Sequence, residues 1–271
     1  MTNQRQAAPE IRLEGLSLSY GGRVIIEGLD AVMPAGRITA VLGGSGGGKS
    51  TVLKCILRLL PPLSGRVTIG GQDFYALSQA AIRDWKRDTG VLFQDGALLG
   101  SLTVGENVAL PLQEHTDLPE DLIEEVVRLK LKLVGLEHTL HYYPRELSGG
   151  MRKRAGLARA MALDPRLLLC DEPTAGLDPI TAAELDRLIL RLKETFAMTI
   201  VAVTHDLDSL MTIAEHVIVL HKGRALYQGD LEHLMTFDDP YIKRFLNREP
   251  DPFDARIMEE DLAAATQAGK A

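Results

Sequence analysis

The apolar positions Ile11, Leu13, Leu16 and Leu18 predict an early strand, and Gly21-Gly22 predicts a tight turn into a second strand over residues 24–26. Pro34-Ala35-Gly36 marks another turn. Residues 37–42 then read as a buried strand entering a glycine-rich loop. A helix is expected over residues 49–60, stopped by Pro61-Pro62, and further strands over residues 66–69 and 90–93. From about 101 to 163 the texture is helical: residues 121–134 carry apolar side chains at helical spacing, and another helix is expected to begin near Ser148. Strand texture returns at residues 167–170, 199–203 and 217–220, with helices between. Strands alternating with helices imply an α/β fold whose largely parallel sheet is covered on both faces, interrupted by a mainly helical insertion. The sequence has no internal repeat and no low-complexity segment.

Length and composition narrow the classes. The 271 residues fit one large domain or two closely joined lobes, and 45% hydrophobic against 25% charged residues describes a chain able to bury a sizeable core. A net charge of -7 makes a poor general nucleic-acid binder, because that affinity comes largely from neutralising phosphates. Part of the acidity is local, since residues 249–271 carry four net negative charges and read as a tail beyond a domain at 1–248. Two cysteines, Cys55 and Cys170, do not make a disulfide scaffold and suit a cytosolic chain. The polar first ten residues are no secretory signal, and no apolar run is long enough to span a bilayer, so a membrane process would need another chain.

Three segments carry chemistry. Residues Gly43, Gly44, Ser45, Gly46, Gly47, Gly48, Lys49 and Ser50 fit G-x-x-x-x-G-K-[ST] completely, between an expected strand and an expected helix. Successive backbone N–H groups curl around a phosphate there, and glycines let the main chain approach. The helix start, including Thr51, adds positive dipole. Lys49 is placed for the β- and γ-phosphates and the Ser50 hydroxyl for magnesium. The apolar strand 167–170 ends in Asp171, able to hold a magnesium shell, and Glu172, placed to polarise an attacking water. Ser148, Gly149 and Gly150 form a second anion cradle, with a capping serine and bare N–H groups at a helix start. One nucleotide does not need two cradles from one subunit. The economical geometry is a sandwich in which each subunit's cradle closes on the nucleotide held by the other.

On these segments the chain resembles the ABC transporter ATPases from about residue 11 to 241. The resemblance implies a P-loop NTPase fold of the ABC ATPase kind, with a RecA-like core, an antiparallel β subdomain and a helical subdomain at about 101–163. It implies ATP and Mg2+ as ligands, an ATP-sandwich dimer with a second copy of the chain, and an integral membrane permease as partner. Tyr20 matches the aromatic that stacks on adenine, and Gln94 the glutamine linking magnesium to the permease contact. Asp178 matches the aspartate that communicates across the dimer, and His205 the histidine that contacts the γ-phosphate and attacking water. Met151 stands where many members have glutamine, Ala175-Gly176 replaces the commoner Ser-Ala, and Cys170 replaces an aliphatic residue and reads as packing. His115, His138, His141, His216 and His221 make no metal constellation; His138 and His141 are spaced to share a helix face, without a third ligand, and are expected at the surface.

Residues 93–98 and 103–112, with Glu114-His115-Thr116 and the stretch from Leu147 through Arg152-Lys153-Arg154, resemble the ATPases of Mla-type phospholipid transporters. That likeness implies a partner bearing a mammalian-cell-entry domain and a place on the cytoplasmic face of an inner membrane. It also implies a C-terminal extension, and residues 250–258 are expected to lie across the neighbouring ATPase subunit. A polar-solute importer ATPase shares every catalytic motif and remains an alternative. A non-transport ABC ATPase is another, although such proteins typically carry two cassettes or a long coiled coil. A simple P-loop kinase leaves the second cradle without a purpose.

Overall fold

The computed structural model describes residues 7–44 and 46–249. Ser45 and the tail segment 250–258 therefore lie outside the described residues. Contacts divide the chain into residues 1–231 and 232–271.

The first unit holds two sheets. In the four-stranded one, β1 (Ile11–Tyr20) pairs antiparallel with β2 (Arg23–Met33) and β4 (Ser64–Ile69), and β4 with the short β5 (Gln72–Asp73). The β1–β2 hairpin turns at Gly21-Gly22, both at positive φ, which suits a tight two-residue turn. The second sheet has the order β10-β9-β3-β8-β7-β6. Its strands β3 (Ile38–Leu42), β6 (Thr89–Leu92), β7 (Leu167–Asp171), β8 (Thr199–Val203) and β9 (His216–His221) run parallel, and β10 (Arg224–Asp230) closes one edge antiparallel to β9. The sequence pattern did not single out β10, a half-exposed edge strand. The two sheets are linked between β2 and β10: Glu27 N–H donates to the Gly223 carbonyl (3.1 Å), Val32 N–H to Gln228 Oε1 (3.0 Å), and Arg224 pairs with Glu27 (2.9 Å).

Alternation along the parallel strands feeds two cores. Leu168, Cys170, Ile200 and Ala202 face one cluster, and Leu167, Leu169, Val201 and Val203 the other. Both faces are apolar because both are covered. Cys170 is wholly buried in the first cluster, and burial pushes its thiol up to about 12, consistent with packing.

Nine helices are found among the described residues. α1 (Lys49–Ile56) ends four residues before Leu60, the expected last helical residue. Arg58 takes a left-handed φ of 60, and the N–H groups of Leu59 and Leu60 both turn back to the Lys54 carbonyl. Tertiary contacts hold this early exit: Arg58 donates to the Phe74 carbonyl (3.1 Å), and the Tyr75 hydroxyl to the carbonyls of Leu60 (2.8 Å) and Cys55 (2.9 Å). α2 (Gln79–Arg87) precedes β6 and was not marked by the sequence pattern. Residues 104–160 contain α3 (Val104–His115), α4 (Glu120–Leu133) and α5 (Gly149–Ala160), whose apolar faces share one core. His138 and His141 are exposed as expected, but His138 lies in a short 3-10 turn rather than on an α-helix. α6 (Pro179–Phe196) and α7 (Leu207–Ile213) follow β7 and β8. α8 (Leu231–Leu234) and α9 (Pro240–Leu246) come last, α9 capped by the Asp239 carboxylate accepting from the N–H groups of Tyr241 (2.8 Å) and Ile242 (3.0 Å).

Candidate nucleotide site

Four of the expected site segments leave the carboxyl ends of adjacent parallel strands. Gln94 follows β6, Asp171 and Glu172 end β7, His205 follows β8, and the glycine-rich loop follows β3. In parallel α/β sheets this edge is where ligands sit, because strand ends and helix starts converge there.

The loop is shaped by its neighbours. Gly43 has φ +151, and a Cβ there would lie 2.3 Å from the Leu220 carbonyl oxygen at the end of β9. Gly48 has φ +95, and a Cβ there would lie 2.4 Å from Ile26 Cδ1 of β2. Any side chain at either position would displace the loop or its support. Lys49, at the start of α1, is buried and donates to the carbonyls of Gly43 (2.7 Å) and Gly44 (3.1 Å). Burial pushes its ammonium down, while the Glu172 and Asp171 carboxylates oppose that. Ser50 is exposed on the first turn of α1, and Thr51 is half-buried beside it.

A cleft of about 280 Å³ opens over this loop, lined by residues 46–51 with Tyr20, Ile25 and Lys54. Tyr20 is 59% exposed at the rim of this cleft, so it is not a packing residue. The Lys54 ammonium lies 4.9 Å from the centre of that ring. Lys54 and Ile25 were not singled out in the sequence; for Lys54 the only signal is a second cation on the helix that carries Lys49.

Asp171 is half-buried, and burial together with the adjacent Glu172 carboxylate pushes its carboxyl up, against the pull of Lys54 and Lys49. Glu172 adopts a left-handed φ of 48, uncommon for a residue with a side chain. Its N–H donates to the Val203 carbonyl (2.8 Å), and its Oε1 lies 3.0 Å from His205 Nδ1. His205 does not cap the helix after it. Asp206 does, accepting from the N–H groups of Asp208 (2.9 Å) and Ser209 (3.4 Å). Behind these residues runs a buried polar chain that sequence reading missed. Thr174 donates to Asp206 Oδ2 (3.3 Å) and lies 3.1 Å from the Ser209 hydroxyl, which donates to Asp186 Oδ2 of α6 (2.6 Å).

Ser148 caps α5 by accepting from Met151 N–H (3.2 Å), and Gly150 packs against Thr181, where a Cβ would meet Cγ2 at 2.4 Å. Asp178 caps α6, accepting from the N–H groups of Ile180 and Thr181 (both 3.1 Å) and from the Thr181 hydroxyl (2.6 Å), which holds its carboxyl down. Ser148 and Asp178 are exposed and sit at neighbouring helix starts, tied further by the Arg154–Glu184 ion pair between α5 and α6. Ser148, Gly149 and Gly150 do not line the cleft over their own phosphate loop.

A phosphate loop, an acid-ended strand and a separate capped cradle, on a two-sheet core with a helical insertion, define the ABC class of ATPase. The sequence matches the ABC transporter family over residues 26–175, and the chain belongs to that family as an ATP-binding, ATP-hydrolysing subunit. It is 40% identical over 241 residues to the intermembrane phospholipid transport system ATP-binding protein MlaF of Haemophilus influenzae, covering 89% of this chain and 91% of that one. To the Escherichia coli K12 protein of the same name it is 37% identical over 244 residues, covering 90% and 91%. It is also 42% identical over 259 residues to the probable ribonucleotide transport ATP-binding protein mkl of Mycobacterium tuberculosis, covering 95% of this chain and 71% of that one. Among solved structures it resembles the dimeric post-hydrolysis state of the cassette MJ0796 bound to ADP and Pi, with TM-score 0.74, 30% identity, and 82% and 98% coverage. No helix among the described residues is long and apolar enough to cross a membrane.

Proposed function

We propose that this subunit drives phospholipid movement across a bacterial envelope, by closing on ATP as a homodimer at the cytoplasmic face of the inner membrane beneath a separate permease. The observation that carries the lipid reading is the end-to-end likeness to the two MlaF proteins, about nine-tenths of each chain. A mammalian-cell-entry-domain protein in the same complex belongs to this reading. So does an ATPase domain over residues 1–248 with a tail at 249–271 that steadies the dimer. Nucleic acid has no place in it.

In this reading Tyr20 stacks on adenine, and the N–H groups of residues 43–51 with Lys49 hold the phosphates. Ser50, Gln94 and Asp171 are an oxygen donor set that suits magnesium. The raised Asp171 carboxyl, crowded by Glu172, fits a site that a divalent cation would relieve. When bound, the ion would neutralise charge on the β- and γ-phosphate oxygens. Glu172 orients the attacking water and accepts its proton, and His205 holds the Glu172 carboxylate and contacts the γ-phosphate. Ser148, Gly149 and Gly150 reach the nucleotide of the other subunit, with Asp178 at the same seam; their position off the subunit's own cleft supports this.

Two experiments test the reading. Glu172→Gln is expected to retain ATP binding and slow hydrolysis by about a hundredfold or more; a variant hydrolysing at the wild-type rate ends that role for Glu172. For the cargo, the complex in liposomes is expected to move a fluorescent phospholipid in an ATP-dependent manner. The mycobacterial relative named for ribonucleotide transport favours a polar-solute reading. ATP-driven ribonucleotide accumulation without lipid movement would establish that one.

A further inference from the structure

Glu172 is held at four points. Two of them, the Val203 carbonyl and the His205 ring, belong to β8 and the loop after it. The third is local, the Ala175 N–H donating to the Glu172 carbonyl at 3.2 Å. The fourth comes from elsewhere: the Lys153 ammonium on α5 donates to the same carbonyl at 3.2 Å. Lys153 is only 5% exposed. Burial pushes its ammonium down, and the carboxylates of Asp95 and Glu172 restore part of its charge. An ammonium buried where a methionine would fill the same space costs stability unless its charge is used.

Asp95 directly follows Gln94, and α5 grips the same segment. Arg159 donates to the carbonyls of Ala97 (2.7 Å) and Gly96 (2.9 Å). Gly156 packs so closely that a Cβ there would lie 2.8 Å from Gly96 Cα. One helix therefore holds both the segment after β6 and the main chain of Glu172.

We propose that Lys153 is a positioning residue for hydrolysis: it fixes the left-handed turn that aims the Glu172 carboxylate, and ties that turn to the Asp95 segment. The proposal rests on Glu172 being the water-orienting carboxylate. Its contribution falls on the chemical step and not on nucleotide affinity, because no side chain of the cleft over the phosphate loop is Lys153.

The test uses the full-length chain assembled with its permease. Lys153→Met is expected to lower kcat by about tenfold to a hundredfold, the scale of a slightly misplaced reacting group, and to leave KM for ATP within about twofold. Lys153→Arg, which keeps a charged donor, is expected to recover most of the rate. Asp95→Asn is expected to lower kcat alone but to add little on top of Lys153→Met, because the Asp95 carboxylate acts by supporting the Lys153 charge. Should Lys153→Met not fold, Lys153→Gln is read in its place, with a loss of about tenfold. A wild-type kcat in Lys153→Met, a matching rise in KM, or failure of Lys153→Arg to rescue a folded complex overturns the proposal. Glu172→Gln is run alongside. If it is inactive while Lys153→Met is normal, only the positioning role fails; if it too hydrolyses normally, the reading of Glu172 fails first.

Discussion

Asp186 is 2% exposed on α6, and its Oδ1 has no hydrogen-bond partner among the described residues. Burial raises its carboxyl to about 6 from an ordinary 3.8; the Asp206 carboxylate adds to this and the Ser209 hydroxyl opposes it. The folded state therefore holds this proton more tightly than the unfolded chain. The stability so gained is fully present below 3.8 and is lost as pH rises through about 6. At about 1.4 kcal/mol per pH unit, the interval corresponds to a penalty of about 3 kcal/mol above pH 7. Asp186→Asn removes the charge at every pH. It keeps an oxygen to accept from Ser209 and exchanges one unpartnered polar atom for another. The variant is expected to be more stable by about 3 kcal/mol at pH 8 and about half that at pH 5. In thermal unfolding this is a gain in Tm on the order of 6 °C at pH 8 and half as much at pH 5. An equal gain at both values, or a loss at pH 8, would refute the argument that a buried charge is the cause.

Lys49→Ala is expected to weaken ATP binding by about tenfold or more, measured by titration with a fluorescent nucleotide, since it removes the buried cation of the phosphate loop. Gly48→Ala would place a Cβ 2.4 Å from Ile26 Cδ1 in a left-handed turn, and a loss of about 1–3 kcal/mol in chemical unfolding is expected together with weaker nucleotide binding. Dimers mixing Gly149→Trp with Lys49→Ala subunits are expected to regain ATPase activity over either variant alone, because one composite site is then intact. Mixed dimers that form without any rescue would argue against cradles acting in trans.

The chemistry at strand ends was legible because it is local. Gly43 to Ser50 are one continuous run of sequence, and Asp171-Glu172 stand together at the end of one strand, so spacing alone marks them. What stayed hidden depends on partners far apart in sequence. The Thr174, Ser209 and Asp186 chain joins three elements, and nothing in a single segment marks it. Lys153 is one of three consecutive cations in sequence, and only the fold sets its ammonium on the Glu172 carbonyl. The early end of α1 is of the same kind. Propensity carries a helix to Leu60, but the Arg58 side chain goes to the Phe74 carbonyl and the Tyr75 hydroxyl holds the Leu60 carbonyl outside it. β10 and α2 lacked the long apolar rhythm that a buried element writes into sequence.

The phosphate loop is wedged between Ile26 of one sheet and Leu220 of the other, near the seam where Glu27 meets Gly223. Its curvature is thus set by how the two sheets abut, much as a keystone depends on both halves of an arch. Inherited or engineered changes at Ile26, Leu220 or Gly223 would masquerade as nucleotide-affinity lesions in a screen, although none of those three lines the cleft over the phosphate loop. Suppressors of such changes should then arise on the opposite layer, and their pairing would trace the seam genetically.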